Sequence, residues 1–148
     1  MHKNNVNINV MKKLLVLCLV CFLMQTLKAQ TKDYRVVFDL TSKDSLNQAA
    51  VMRWINEISA AEPNAQIEVV MYGQGISMVT KGRSYFEEAV LKFTGNKSIA
   101  FKACAVALKN QNIDKSQLLP GIEIVPDGIY EIISKQREGW GYIKAVAR

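Results

Sequence analysis

The sequence predicts a single doubly wound α/β domain, with a parallel five-stranded sheet and helices on both of its faces. Short segments rich in β-branched and aromatic residues alternate with segments whose apolar residues recur at helical spacing. The chain of 148 residues is long enough for one ordinary hydrophobic core and shows no internal repeat. Single helices between strands indicate right-handed βαβ units, and therefore parallel strands.

Residues 1–29 are predicted to be a signal peptide. Lys12 and Lys13 precede an apolar run over residues 14–24, and Ala29 is a small residue at a suitable cleavage position. The apolar run is well short of the roughly 20 residues that a membrane-spanning helix needs. We therefore expect a periplasmic or secreted protein, no stable membrane anchor after cleavage, and a mature domain over residues 30–148.

Removal of this segment changes which functions the composition allows. Residues 1–29 contain four of the 19 basic residues and no acidic residue, so the net charge falls from +6 to +2 and gives no reason to expect nucleic-acid binding. The only histidine, His2, is removed as well, which excludes Ser-His-Asp and Cys-His catalysis and argues against a zinc site. Gly73 and Gly75 lack the third glycine of a dinucleotide fingerprint. We expect no metal and no cofactor.

The first strand and helix are predicted from residues 34 to 62. Residues 34–40 have the apolar and aromatic content of a strand. Ser45 is followed three residues later by Gln48, which fits a helix that begins with a capping box. Pro63 marks its end.

The second strand and helix follow in the same order. Residues 66–72 are rich in valine and isoleucine and end at the turn that contains Gly73 and Gly75. A second capping box, formed by Ser84 and Glu87, predicts the start of the next helix.

The remaining elements complete the alternation. A strand over residues 98–103 runs directly into a helix, with Cys104 at the junction. Residues 122–125 read as a short strand, and Pro126 suits the first turn of the helix that follows. Residues 141–146 are expected to form the fifth strand.

Parallel strands predict where a ligand would bind. In open parallel sheets, ligands lie outside the carboxyl ends of the strands. Four separate stretches of this chain reach that edge, and they bring together one candidate catalytic residue, Cys104, and five candidate ligand-binding residues: Asp39, Thr41, Gly73, Gly75 and Pro126.

Cys104 is the one cysteine outside the predicted signal peptide, so it cannot form a disulfide within the mature chain. It is therefore a buried packing residue, a residue paired between chains, or a free reactive thiol. The start of a helix favours a thiolate, whereas the apolar neighbours favour the inert thiol. The residues themselves leave these alternatives open.

Three segments resemble the DsrE/DsrF-like family, especially its stand-alone YchN-like members. They are FKACAVAL at residues 101–108, LLPGIEIVPDGI at residues 118–129 and QREGWGYI at residues 136–143. The resemblance extends over residues 34–144. It implies a small α/β domain that assembles as a homotrimer or homohexamer.

The resemblance also suggests a function. In the sulfur-relay branch of this family, a cysteine after the third strand accepts sulfur as a persulfide, and Cys104 stands at the matching position. We therefore predict a sulfur-handling carrier, or sulfurtransferase, that passes sulfur to a thiol or persulfide partner protein. The alternatives are an oligomeric ligand-binding or assembly module with Cys104 buried, and an exported redox protein that forms a mixed disulfide.

Overall fold

A computed structural model describes residues 33–146, together with Val10, Lys12, Lys13 and Leu15. Apart from those four residues, the predicted signal peptide lies outside the described part of the chain. The compact domain begins at Asp33. None of the helices among the described residues combines the length and the apolar character needed to cross a membrane.

Strands and helices alternate along this domain as the sequence predicts. The strands are β1 (Arg35–Leu40), β2 (Gln66–Met71), β3 (Ile99–Cys104), β4 (Glu123–Val125) and β5 (Gly141–Lys144). The α-helices are α1 (Ser45–Ala61), α2 (Glu87–Phe93), α3 (Ala105–Asn110) and α4 (Gly128–Arg137). Two 3₁₀ helices, η1 (Gly73–Val79) and η2 (Lys115–Gln117), occupy connections.

The five strands form one parallel sheet in the order β4-β3-β2-β1-β5. The chain adds β2, β3 and β4 on one side of β1, and α4 then carries it back to the other side, where β5 pairs with β1. The predicted fold class is confirmed. The register also brings the carboxyl ends of neighbouring strands together, since Leu40 pairs with Met71 and Cys104 with Val125.

Two separate apolar cores cover the faces of the sheet. The larger core includes Phe38, Phe101 and Val51, and Trp54 of α1 stacks on Phe38 with ring centroids 5.7 Å apart. On the opposite face, α4 covers a smaller core that contains Val37, Val70 and Ile132. Among the described residues, Ile132 of α4 packs with Val37 and Val70 in this second core, so the burial of this face depends on how α4 lies across the strands.

Three helix starts differ from the sequence prediction. Asp44, and not Ser45, caps α1, because its carboxylate accepts a hydrogen bond from Leu46 N at 2.8 Å. Helix α2 begins only at Glu87, whose side chain accepts from Gly82 N at 2.6 Å instead of closing a box with Ser84. Pro126 lies just before α4, since Asp127 is the capping residue. In α1 and α4, an aspartate next to the predicted start provides the stronger acceptor.

Candidate functional site

Cys104 closes β3 and immediately precedes α3. Its side chain is largely withdrawn from solvent, with 4% exposed, yet it lines a pocket of about 410 Å³ at the carboxyl edge of the sheet. The thiol thus lies at a strand-to-helix junction on the carboxyl edge of the sheet, as the sequence predicts, and its role in binding a ligand stays a prediction. The thiol is sheltered, and there is space beside it for a small molecule.

The pocket has an apolar side and a polar side. Val106, Ala107 and Ile129 contribute apolar surface. The polar part of the lining consists of a phenol, carboxamides, one carboxylate and a glycine of the turn after β2. These residues are Tyr72, Gly73, Gln74, Asn110, Gln111 and Asp127. This combination of apolar surface and a few polar groups is typical of small-molecule sites.

Gly128 allows α4 to approach the cysteine closely. A Cβ atom placed on Gly128 would lie 3.2 Å from Cys104 Cβ, 3.2 Å from Val70 Cγ1 and 3.3 Å from Tyr72 Cβ. Because Gly128 has no side chain, the first turn of α4 packs directly against the ends of β2 and β3. The backbone of α4 is thus part of the enclosure around Cys104.

Two side chains fix the rim of the pocket. The Gln111 amide donates a hydrogen bond to the Gly73 carbonyl, which ties the end of α3 to the turn after β2. Asp127 Oδ1 accepts hydrogen bonds from Ile129 N at 2.8 Å and Tyr130 N at 3.0 Å. Both contacts hold polar groups in defined positions around the entrance.

Asp39 is the centre of a second polar cluster, which reaches the pocket through Tyr72. Its carboxyl is 4% exposed, and Oδ2 accepts hydrogen bonds from the hydroxyls of Tyr142 at 2.7 Å and Tyr72 at 3.3 Å. The other oxygen, Oδ1, is buried without a hydrogen-bond partner. One carboxylate oxygen therefore orients two phenols, and one of these phenols belongs to the pocket lining.

The hydroxyls of this cluster are held in the protonated form. The hydrogen bond to Asp39, together with burial and the carboxylate charge, raises the pKa of Tyr142 to about 12. Burial and the same carboxylate raise the pKa of Tyr72. In both residues, ionisation would remove a donated hydrogen bond and place two negative charges side by side. Both tyrosines are thus hydrogen-bond donors to Asp39 near neutral pH.

Asp39→Asn should lower the pKa of Tyr142 from about 12 towards its usual value of 10. The substitution removes the charge that opposes phenolate formation while it preserves the size of the side chain. Absorbance titration of the phenolate band measures this change, with Tyr142→Phe to assign the transition and Tyr85→Phe, an exposed tyrosine, as the matched control. A Tyr142 transition at unchanged pH would contradict the assignment of Asp39 as the cause.

The structure brings the predicted site residues together only in part. Gly73 lines the pocket, and Asp39 is linked to it through Tyr72. The Thr41 backbone lies near the turn, since a Cβ placed on Gly73 would be 3.5 Å from the Thr41 carbonyl oxygen, but Thr41 is not among the lining residues of the pocket. Gly75 is buried against the end of β1, and Pro126 is an exposed residue before the α4 cap. Neither of these last two is among the lining residues of the pocket.

Sequence reasoning did not select Tyr72, Gln111, Asp127 or Gly128 as site residues. Asp127 and Gly128 carried a usable signal, since an aspartate before a glycine at a helix start indicates a cap beside a close approach. Tyr72 and Gln111 carried none, because their roles depend on contacts with Asp39 and Gly73 that are distant along the chain. No group of three histidine, cysteine or acidic residues within the described residues could hold a metal ion.

The fold and the pocket define the class of this protein as a small parallel α/β domain with a sheltered cysteine at the carboxyl edge of its sheet. The chain belongs to the DsrE/DsrF-like family, whose model matches residues 35–145. This family is known in sulfur relay, and the match confirms the resemblance that the sequence motifs suggested.

Solved structures show the same fold. A protein of unknown function from Methanobacterium thermoautotrophicum, MTH1491, is 31% identical, with a TM-score of 0.71 over 76% of this chain and 99% of that chain. The ychN protein of E. coli is 13% identical, with a TM-score of 0.62 over 76% of this chain and 98% of its own. BT1422 of Bacteroides thetaiotaomicron, a conserved protein of unknown function, is also 13% identical, with a TM-score of 0.63 over 79% and 99%. A search of curated proteins found no match.

Proposed function

We propose that this protein is a sulfur carrier that holds sulfane sulfur as a persulfide on Cys104. The observation that carries the proposal is the position of Cys104 in a pocket at the end of β3, in a chain of a family known in sulfur relay. The same cysteine is the one that the resemblance matches to the sulfur-accepting position of the relay branch.

The reaction needs no external oxidant or reductant. The Cys104 thiolate attacks the outer sulfur of a donor persulfide, forms the new S–S bond, and releases the donor as a thiolate that takes up a proton. An acceptor thiolate then attacks the outer sulfur of the Cys104 persulfide and regenerates the Cys104 thiolate. Each step breaks one S–S bond and forms another, so the oxidation level of the transferred sulfur is conserved.

The pocket provides two conditions that this chemistry requires. A persulfide is easily oxidised, and the low exposure of Cys104 shelters its sulfur from bulk solvent. The adjoining space of about 410 Å³ accommodates a low-molecular-weight donor or the tip of a partner residue. Tyr72, held by Asp39, presents a fixed polar group in the same pocket.

Intact mass after exposure to cysteamine persulfide, an organic persulfide that carries an ammonium group, tests the proposal. The full chain with Cys18→Ser and Cys21→Ser should gain the mass of one sulfur atom, because Cys104 is then the only cysteine. Dithiothreitol should remove the added sulfur, and a further Cys104→Ser substitution should abolish the gain completely. The proposal is wrong if no reducible one-sulfur adduct forms, or if the adduct persists in the triple variant.

The low exposure of Cys104 also favours a second candidate function, an oligomeric ligand-binding or assembly module in which the thiol only packs. Iodoacetamide labelling distinguishes the two in the same cysteine variant. A carrier should be labelled while folded, whereas a packing thiol should react only after unfolding by denaturant. Circular dichroism recorded during labelling shows in which state the reaction occurs.

The export of this protein and its oligomeric state stay predictions from the sequence. We propose that the mature protein is periplasmic or secreted and forms a homotrimer or homohexamer, with a thiol or persulfide protein as its exchange partner. Two apolar side chains of the pocket lining, Val106 and Ile129, are exposed and are compatible with such contacts.

A further inference from the structure

We infer that the Cys104 pocket selects its sulfur donor by charge: it takes uncharged or cationic organic persulfides and disfavours inorganic anions such as thiosulfate. Asp127 is the residue that we expect to determine this selectivity. This inference rests on the proposed function, because only a sulfur carrier has a sulfur donor. The charge selectivity itself can be tested with any thiol reagent that enters the pocket.

The lining of the pocket is unusual for a site that would bind an anion. Among the described lining residues none has a cationic side chain, and the one acidic side chain is Asp127. Sites for sulfur oxyanions or phosphates normally supply lysine or arginine side chains. Here an incoming dianion would meet a carboxylate instead, so its approach to Cys104 is opposed.

The carboxylate of Asp127 cannot turn away from this position freely. Its Oδ1 atom caps α4 through two backbone hydrogen bonds, to Ile129 N at 2.8 Å and to Tyr130 N at 3.0 Å. Those two N–H groups, which could otherwise attract an anion, are already occupied. The charge at the rim is thus fixed by the start of the helix.

Neither of the two lysines that lie near Cys104 in the sequence, Lys102 and Lys109, is among the lining residues of the pocket. Lys102 lies two residues before Cys104 on β3, but its ammonium is 2.7 Å from Glu123 Oε2 and 3.9 Å from Glu68 Oε2. The Glu123 carboxylate therefore pairs with the Lys102 ammonium at hydrogen-bond distance. Asp127 is the one charged side chain among the described lining residues.

The polar groups of the lining suit an uncharged or cationic ligand. The Tyr72 hydroxyl donates its proton to Asp39, so its oxygen is available to accept a hydrogen bond from a ligand N–H. The carboxamides of Gln74 and Asn110 offer both donors and acceptors. An ammonium or amide group on the donor would find acceptors here, in addition to the carboxylate.

A pair of methanethiosulfonate reagents of opposite charge tests the selectivity. The trimethylammonium-ethyl and sulfonatoethyl reagents both modify thiols, and we compare their rates on the folded full chain with Cys18→Ser and Cys21→Ser. Each rate is divided by the rate of the same reagent with 2-mercaptoethanol, which removes intrinsic reactivity. We expect the normalised ratio to favour the cationic reagent by about three- to ten-fold at low salt, and to shrink as salt is added.

Asp127→Asn is the decisive variant, because asparagine is an equally good helix cap and only the charge is lost. It should reduce the normalised ratio by about threefold or more. Asp114→Asn is the matched control, since Asp114 also caps a helix, is exposed and lies outside this pocket. It should leave the ratio unchanged.

The possible outcomes are separable. An equal response of the ratio to Asp127→Asn and Asp114→Asn, or a wild-type ratio that favours the anion, overturns the inference even if cysteamine persulfide loads Cys104. A ratio that responds only to Asp127→Asn upholds the charge selectivity, even if the mass experiment finds no persulfide and the carrier function fails. Absence of reaction with either reagent before unfolding overturns both.

Discussion

Gly75→Ala is expected to destabilise the domain by about 3 kcal/mol or to prevent folding, because the new methyl group would overlap backbone atoms of β1. A Cβ on Gly75 would lie 2.1 Å from Leu40 O and 2.8 Å from Leu40 C. These are backbone atoms at the end of β1, so a rotamer change cannot relieve the overlap. Urea unfolding of the purified variant and of the wild-type protein measures the loss.

Gly95→Ala is the matched control for this substitution. A Cβ on Gly95 meets no atom within 4 Å, so the free energy of unfolding should change by less than about 0.5 kcal/mol. Equal stabilities of the two variants would show that β1 and the turn after β2 are not packed as described. If Gly75→Ala does not fold, its insoluble expression beside a soluble Gly95→Ala gives the same comparison.

Glu68→Gln is expected to flatten the dependence of stability on pH between about 5 and 8. Glu68 lies on β2, 3% exposed, and burial raises its pKa from 4.5 to about 7. Lys102 and Lys135, at 3.9 and 4.0 Å, oppose this increase, whereas the nearby Glu131 carboxyl adds to it. Glu68 Oε1 is buried without a hydrogen-bond partner, which adds to the free-energy cost of the ionised carboxylate.

The direction of this pH dependence follows from which state of the chain, folded or unfolded, keeps the proton on Glu68. Between pH 4.5 and 7 the folded protein keeps a proton on Glu68 that the unfolded chain has released, so stability falls as pH rises through this window. The contribution of Glu68 to the free energy of unfolding is fully present below pH 4.5 and is lost above pH 7. It amounts to at most about 3 kcal/mol. The glutamine variant should match the wild type near pH 5 and exceed its stability near pH 8.

Glu57→Gln is the control for this measurement. Glu57 is exposed on α1 and paired with Arg53 at 3.6 Å, so its loss should not change the slope of stability against pH. Thermal unfolding across the pH range gives the slopes of all three proteins. Parallel curves for the wild type and Glu68→Gln would contradict a raised pKa at Glu68.

These two positions are connected with different parts of the candidate site. Gly75 allows the turn after β2 to rest on the end of β1, where Asp39 and Tyr72 meet. Glu68 lies among charged groups on the α4 face of the sheet, and α4 also supplies Asp127 and Gly128 to the pocket. The packing of α4 thus connects the pH response of stability with the enclosure around Cys104.

Local sequence patterns were sufficient for the architecture and for Cys104. Each strand and most helix bounds depend on periodicity within a short segment, and the parallel arrangement follows from single helices between strands. Cys104 ends its strand in the structure as predicted, within one residue. The starts of α1 and α4 were wrong because a neighbouring aspartate competes for the same backbone N–H groups, and geometry selects between them.

The sequence by itself determined the fold class, the family, and the thiol at the edge of the sheet. Only the tertiary structure decided what surrounds that thiol. Tyr142 reaches Asp39 from 103 positions away because β5 returns to pair with β1, and Glu68 is buried because α4 crosses the sheet. Such contacts depend on the order of strands and on which face each helix covers. A one-dimensional pattern records neither, because burial and charge at a site are set by neighbours in space.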